Sequence, residues 1–302
     1  MPLSRLRFPG ASLWHRLCRG STFFRTDPDW ERFTGPGWQS RIMTEDVRDR
    51  FHAKQGRTIA RWTQIQPDGS RLVVYLKRHY LLPRRLGWLA VLFPQRAWSP
   101  GRQEYENLSW ARREGIPVPR TPAVGEFLGP WGRLQGFLAV EELSGMIGLH
   151  EAIPAAYARL PAQQFAIWKR GLITELARLS RELHRRRVVH KDLYLCHFYI
   201  AVADTQQVPE SWQGRVVMID FHRLARHRWL WPWWLAKDLA QLAYSSDLPG
   251  VTARDRLRFW REYRQGNWGT VSAPPRGMVR LIRWKWNLYE RNRLRREKRI
   301  QG

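Results

Sequence analysis

The chain has 302 residues, enough for one large domain or for two lobes with a sizeable core. Lys and Arg number 52 against 26 Asp and Glu, so the formal charge of +26 favours an anionic partner such as nucleic acid, an acidic membrane surface or a phosphorylated substrate. Two cysteines are too few for a disulfide scaffold and are compatible with a reducing compartment.

The sequence predicts neither a secretory signal nor a membrane-spanning helix. Residues 1–20 lack the continuous apolar segment of a signal peptide. The longest apolar run, residues 86–93, is well short of the roughly 20 residues that a spanning helix needs. The 18 Trp residues, several of them beside basic residues, suit either a membrane interface or an ordinary core. We therefore expect a cytosolic protein, soluble or peripherally bound.

The first third of the chain predicts a β-hairpin after an irregular segment. Residues 1–45 are rich in Arg, Pro, Gly and aromatic residues without clear periodicity, and we interpret them as an irregular extension. Residues 58–65 alternate partly, residues 67–70 favour a turn, and residues 71–77 are β-rich, which together predict an antiparallel hairpin. Residues 80–99 are basic, aromatic and contain Pro, and are interpreted as an insertion.

A helix and a further strand follow this insertion. Residues 101–114 have a helical pattern that ends at Gly115. Residues 134–140 form a candidate buried strand that runs into residues 141–145. We therefore place a boundary near residue 145.

The second half of the chain is predicted to be mainly helical. Four leucines recur at i, i+4, i+7 and i+11 within residues 163–186 and predict a core-facing stripe: Leu172, Leu176, Leu179 and Leu183. Helical patterns also occupy residues 234–244, 256–264 and 279–299. The last is strongly basic, with nine Lys or Arg against two Glu in residues 280–299, and is either a solvated helix or a basic contact surface.

The most specific chemistry lies in two short polar segments. The first is the triplet 190–192, His-Lys-Asp, with His197 five positions after its Asp. The second is the triplet 220–222, Asp-Phe-His, which follows an apolar strand. Their order is similar to the H-R-D-x-x-x-x-N and D-F-G motifs of protein kinases. In that pattern Asp192 accepts the proton of the acceptor hydroxyl, while Asp220 and His197 occupy the metal-ligand positions.

The first half supplies residues at the nucleotide-binding positions of the same pattern. Lys77 ends the predicted hairpin, where its ammonium would neutralise ATP phosphates. Glu104 is a better partner for Lys77 than Glu106, because a helix points these two side chains in different directions. Gly56 belongs to residues 52–57, a loop before the hairpin that lies where a phosphate-covering loop is expected, although a single glycine is a weak signal.

The predicted fold is therefore α+β and two-lobed, as in protein kinases. Residues 46–145 would form a small lobe built on an antiparallel sheet, and residues 146–302 a mostly helical lobe. Glu141 and Leu143 lie at the predicted hinge, whose backbone would hydrogen-bond adenine.

His197 departs from the protein-kinase pattern, because neutral imidazole is a poor ligand for Mg²⁺. Three roles remain open for His197: weak binding to a second metal, contact with phosphate, or bracing of the loop. His190 is expected to bond loop backbone, and Asp238 to brace it.

A zinc site made of His190, Cys196, His197 and His222 is the alternative. The sequence has no C-x-x-C or H-E-x-x-H spacing, which disfavours zinc.

At these residues the sequence resembles the lipopolysaccharide core kinases of the Kdo/WaaP family. The resemblance spans about residues 45–246 and is carried by residues 75–78, 104–119, 189–198, 219–223 and 237–242. The segment Cys196-His197-Phe198, with His at the usual Asn position, is typical of this family and not of a generic protein kinase.

The resemblance implies a phosphotransferase that uses ATP and Mg²⁺ to phosphorylate a sugar hydroxyl, heptose or Kdo, of the lipopolysaccharide inner core. It implies a lipid-linked anionic acceptor, peripheral contact with the acidic inner-membrane surface from the cytoplasmic side, and no nucleic-acid partner. It leaves the oligomeric state open. Two alternatives are a nucleic-acid-associated atypical kinase and a non-catalytic nucleotide-binding scaffold at the membrane. The presence of Lys77, Asp192 and Asp220 together argues against the scaffold.

Overall fold

The chain divides into two units, and the computed structural model describes residues 12–45, 47, 49–54, 56–227 and 229–301. The first unit contains the residues up to Ser109 together with Pro119–Glu142. The second contains Trp110–Val118 and the residues from Leu143 onward. Within the described ranges, no helix combines the length and apolar character needed to cross a membrane.

A six-stranded antiparallel sheet forms the first unit. Its strands are β1 (Ser21–Thr26), β2 (Asp49–Lys54), β3 (Arg57–Ile65), β4 (Arg71–His79), β5 (Ala123–Gly129) and β6 (Arg133–Glu141), in the spatial order β1-β5-β6-β4-β3-β2. The predicted hairpin is confirmed as β3 and β4, with Ile59 opposite Lys77. Because side chains alternate along a strand, this register determines which face of the sheet carries Lys77.

In the described part of the chain, five α-helices accompany the sheet: α1 (Leu13–Arg19), α2 (Pro28–Thr34), α3 (Trp38–Arg41), α4 (Arg84–Leu92) and α5 (Pro100–Arg113), whose last four residues belong to the second unit. The interpretation of residues 1–45 as irregular is wrong for residues 12–45, because they form three helices and the edge strand β1, which pairs with β5. Each of these elements is short, so hydrophobic periodicity could not reveal them. Residues 80–99 likewise contain a helix, α4.

Aromatic side chains fill the core of the first unit. Trp30 and Trp38 are buried, and their ring centroids lie 5.8 Å apart in an edge-to-face arrangement. The ring centroid of Trp62, on β3, lies 5.7 Å from that of Trp30. The N-terminal residues are therefore part of this core, since α2 and α3 each supply one of the buried tryptophans.

The second unit is mainly helical. Its helices are α6 (Leu149–Arg159), α7 (Ala162–His184), α8 (Trp231–Ser245), α9 (Ala253–Gln265) and α10 (Met278–Gln301). Five short strands accompany them: β7 (Met146–Gly148), β8 (Val188–Val189), β9 (Phe198–Ala201), β10 (Val217–Met218) and β11 (Ala225–Arg226). The leucine stripe of α7 is confirmed, because all four side chains are buried.

Candidate active site

Helix α8 holds the backbone of the loop that carries Asp192. The buried carboxylate of Asp238 accepts a hydrogen bond from the His190 N–H at 2.7 Å and another from the Lys191 N–H at 2.8 Å. Lys191 has a positive φ of 70°, a backbone conformation that residues other than glycine rarely adopt. The two bonds stabilise this strained backbone. The prediction that Asp238 braces the loop is confirmed.

Three more side chains of α8 hold the same loop. Lys237 Nζ donates to the Lys191 carbonyl at 2.8 Å. Gln241 Oε1 accepts from the Leu193 N–H at 3.3 Å, and Ser245 Oγ accepts from the Leu195 N–H at 2.9 Å. Sequence reasoning missed these residues. The signal was the spacing of positions 238, 241 and 245, which puts three polar groups on one helix face.

His190 is a buried, neutral member of this loop. Its Nε2–H donates to the Ile219 carbonyl at 3.1 Å, directly before Asp220. Burial lowers the pKa of His190, against the opposing charge of Asp238. The prediction that His190 bonds loop backbone is confirmed, and its ring ties the loop to the segment that carries Asp220.

His197 joins the two carboxylate-bearing segments. Its Nδ1–H donates to the Asp192 carbonyl at 2.7 Å, so Nε2 is the atom that faces Asp220, 3.7 Å from Oδ2. Burial by itself lowers the pKa of His197. Hydrogen bonds to the Cys196 side chain and the Asp192 carbonyl, with the charge of Asp220, outweigh it and raise the pKa to about 9. Of the three roles left open for His197, bracing of the loop has a direct structural basis.

Asp220 presents a partly exposed carboxylate from a strained position. Its φ of 64° is left-handed, and its Oδ1 contacts Nδ1 of His222. Among the residues that the structure describes there is no cluster of three or more His, Cys, Asp or Glu that would hold a metal. In phosphotransferases, Mg²⁺ is held by one or two protein carboxylates together with substrate phosphates. The Asp220 carboxylate therefore fits a Mg²⁺ site better than a zinc site.

Arg223 is a site residue that sequence reasoning did not single out. Its Nη1 lies 3.1 Å from Oδ1 and 3.0 Å from Oδ2 of Asp192. The Arg223 side chain is half exposed, and the Asp192 carboxylate is mostly covered. Its position three residues after Asp220 was the signal, because the kinase pattern places that segment beside the catalytic loop.

The first unit holds the predicted lysine in an ion pair. Lys77 Nζ from β4 lies 2.6 Å from Oε1 of Glu104 on α5, and both side chains are largely buried. Glu106 is half exposed and lies 3.6 Å from Arg102 instead. The preference for Glu104 over Glu106 as the partner of Lys77 is confirmed.

A second buried ion pair anchors the helix that carries Glu104. Arg102 Nη1 donates to Glu126 Oε1 at 2.9 Å. The other oxygen of Glu126 accepts from the backbone N–H groups of Trp98 and Ser99, at 3.0 and 2.6 Å. Because these groups precede the first turn of α5, Glu126 attaches the start of this helix to strand β5.

Gly56 lies between β2 and β3, with a φ of 77° that favours glycine. Its carbonyl accepts from the Tyr80 N–H at 2.8 Å, and a Cβ here would lie 2.8 Å from Cβ of Leu81. The description of residues 52–57 as a loop is wrong for residues 52–54 and 57, which belong to strands β2 and β3. The phosphate-binding role of Gly56 stays a prediction.

The two hinge candidates lie in different units. Glu141 is the last residue of β6, and its N–H donates to the Arg120 carbonyl at 2.9 Å. Leu143 opens the long segment of the second unit, and its carbonyl accepts from the Met146 N–H at 3.1 Å. Their contact with adenine stays a prediction.

An antiparallel-sheet unit with a Lys–Glu pair, and a helical unit with a braced His-Lys-Asp loop and a neighbouring Asp-Phe-His segment, define a protein-kinase-like phosphotransferase. The chain belongs to the lipopolysaccharide kinase (Kdo/WaaP) family, whose family model matches residues 97–263. The predicted family, fold class and kinase assignment are thereby confirmed.

Two sequence relatives and one solved structure agree with this assignment. A lipopolysaccharide core heptose(I) kinase WaaP of Pseudomonas aeruginosa PAO1 is 30% identical over 191 residues, which cover 63% of this chain and 69% of that protein. An Escherichia coli protein of the same name is 32% identical over 162 residues, 53% of this chain and 58% of that protein. A solved structure of WaaP in complex with acyl carrier protein is 25% identical, covers 88% of this chain and 98% of that one, and has a TM-score of 0.64.

Proposed function

We propose that this chain transfers the γ-phosphate of ATP to a hydroxyl of a heptose in the lipopolysaccharide inner core. The observation that supports this most directly is the contact network of the second unit, in which His197 links the Asp192 backbone to the Asp220 carboxylate. Both curated relatives named above are heptose(I) kinases, which favours heptose over Kdo as the acceptor.

Each residue has a separate role in the proposed reaction. Asp192 accepts a hydrogen bond, and then the proton, from the acceptor hydroxyl as its oxygen attacks the γ-phosphorus and ADP leaves. Lys77 donates to ATP phosphate oxygens, and Glu104 holds its ammonium in place. Asp220 would hold Mg²⁺, which when bound neutralises charge on the terminal phosphates.

Two partners belong to the proposal. Because a relative was solved with acyl carrier protein, we include an acyl carrier protein as a partner of this chain. A peripheral position on the cytoplasmic side of the inner membrane follows from a lipid-linked acceptor. The charge of +26 supports it, because basic residues are attracted to anionic headgroups.

The test is phosphate incorporation into a lipopolysaccharide precursor whose heptose is unphosphorylated. With ATP and Mg²⁺, we expect the precursor to gain the mass of one phosphate, and fragmentation to place that phosphate on heptose. The Lys77→Met variant is the matched control, and it should lose incorporation. Phosphate found on Kdo would show that the acceptor is Kdo and not heptose. ATP turnover without any labelled sugar would contradict the proposal.

A further inference from the structure

An exposed apolar surface lies where the start of α8 meets α10 in the second unit. Its members, called the tryptophan surface below, are Trp229, Leu230, Trp233 and Trp284, which are 87%, 73%, 40% and 47% exposed. Single exposed apolar residues are ordinary on a protein surface, but large apolar side chains grouped together mark a contact site.

Contacts between the two helices hold two of these side chains together, those of Trp233 and Trp284. The ring centroids of Trp233 and Trp284 lie 5.6 Å apart, and Lys285 Nζ lies 3.2 Å from the centroid of Trp233. The Leu230 carbonyl accepts from the N–H groups of Trp233 and Trp234, at 3.0 and 3.2 Å, so Leu230 lies within one turn of them. Trp233 and Trp284 therefore form a packed pair, and Leu230 and Trp229 directly precede the helix that carries Trp233.

Leu230 occupies a strained conformation. Its φ is 54°, a value that few residues other than glycine adopt. Strain of this kind persists at functional positions more often than elsewhere. Here it accompanies a leucine that is largely exposed to water, which neither packing nor solubility explains.

The charge around the tryptophan surface is positive. Arg280, Trp284 and Arg291 recur at i, i+4 and i+11 along α10 and so share one helix face, and both arginines are exposed. The sequence contains no Asp or Glu from residue 265 to residue 289. In residues 226–246 the one acidic residue is Asp238, which is buried against the catalytic loop.

We propose that the tryptophan surface docks on an anionic phospholipid bilayer, with its apolar side chains at the headgroup boundary and the arginines of α10 on acidic headgroups. Tryptophan favours this boundary because one part of its ring system is apolar and its N–H can hydrogen-bond. Leucine beside it favours lipid over nucleic acid, whose bases stack on rings. This inference rests on the proposed function, because a lipid-linked acceptor lies in such a membrane.

The test is sedimentation of the full chain with vesicles, without ATP or acceptor. Wild type should bind vesicles of phosphatidylcholine and phosphatidylglycerol, and salt should weaken the binding. The double variant Trp229→Ser/Leu230→Ser should lower the partition coefficient by at least about tenfold. The variant Arg280→Gln/Arg291→Gln should lower it on acidic vesicles and not on phosphatidylcholine alone.

A matched control and an independent readout keep the outcomes distinct. The control Ile167→Ser/Arg170→Gln changes an exposed apolar residue and an exposed arginine of α7, and should bind as wild type does. Wild-type affinity of the Trp229→Ser/Leu230→Ser variant for vesicles would overturn the inference. So would a variant that binds vesicles normally but no longer binds acyl carrier protein. Kinase activity on detergent-dispersed acceptor tests the proposed function separately, and these variants should retain it.

Discussion

Arg223 Nη1 contacts both carboxylate oxygens of Asp192, at 3.1 and 3.0 Å. The guanidinium therefore lies against both oxygens of the carboxylate that we propose as the proton acceptor. Since the Arg223 side chain is 50% exposed, solvent screens this ion pair and its contribution to stability is small. The contact matters mainly for the orientation of Asp192.

Replacement of Arg223 should separate these two contributions. We expect Arg223→Ala to lower kcat roughly tenfold, because the Asp192 carboxylate is held less firmly without this contact and aims the acceptor hydroxyl less well. The free energy of unfolding should change by less than about 1 kcal/mol, and Arg223→Lys should restore part of kcat. Steady-state kinetics and urea unfolding measure both.

Arg215 offers the matched control for this prediction. It pairs with Asp204 at 3.1 Å in the same unit and is 49% exposed. The Arg215→Ala variant should keep the wild-type kcat. Equal losses in the two variants would mean that Arg223 acts through general surface charge and not through Asp192.

Asp238 should be essential for loop geometry. In Asp238→Asn, the amide NH₂ replaces one of the two oxygens that accept from the His190 and Lys191 N–H groups. The buried Asn NH₂ then faces a backbone N–H, so two donors meet, which costs about 1–3 kcal/mol. We expect the displaced loop to lower kcat about a hundredfold. Asp247→Asn, at an exposed carboxylate paired with Arg256, is the control and should leave kcat unchanged. Wild-type kcat in Asp238→Asn would show that the loop holds its shape without these bonds.

Glu126 should control the position of Glu104 from a distance. Glu126→Ala removes the buried carboxylate that pairs with Arg102 and accepts from the Trp98 and Ser99 N–H groups. Removing one member of a buried ion pair costs about 3–5 kcal/mol. We expect a lower Tm and a higher KM for ATP, since α5 carries the partner of Lys77. Glu106→Ala, at a half-exposed residue beside Arg102, should change neither quantity.

His79 should make the stability of the first unit depend on pH. Burial, followed by the charges of Arg57 and Lys77, lowers the pKa of His79 from 6.5 to about 4. Below pH 6.5 the unfolded chain binds a proton that the folded chain does not. Stability is therefore lost as the pH falls from about 6.5 to about 4, by about 3 kcal/mol at the lower limit.

Urea unfolding of wild type and His79→Gln over this pH range measures the effect. The difference between the two free energies of unfolding should change with pH, because the variant lacks this titration. A difference that stays constant would contradict the lowered pKa of His79.

The sequence was sufficient for those features that depend on spacing along one element. The β3–β4 hairpin, the α7 stripe and the choice of Glu104 over Glu106 follow from periods of two and 3.6 residues. The bracing role of Asp238 followed from its place on a helix after the two motifs. The fold class followed from the kinase-like order of Lys77, Glu104, Asp192 and Asp220 along the chain, and the family resemblance agreed with it.

Other features depend on contacts between distant segments and were not predictable. Strand β1 is recognised only by its pairing with β5, about 100 residues later in the chain. The Arg223–Asp192 contact joins positions 31 residues apart and needs the backbone path of the intervening strands. The anchoring of α5 by Glu126 is of the same kind, since no local pattern distinguishes this glutamate.

The most direct test of the central claim is the rate of phosphate transfer to lipopolysaccharide precursor in Asp192→Asn and Asp220→Asn, each compared with wild type. If Asp192 accepts the hydroxyl proton, Asp192→Asn should lower this rate by about 100-fold or more while ATP still binds. Asp220→Asn should lower the rate and weaken its dependence on Mg²⁺. Transfer within about tenfold of wild type in Asp192→Asn would contradict the account.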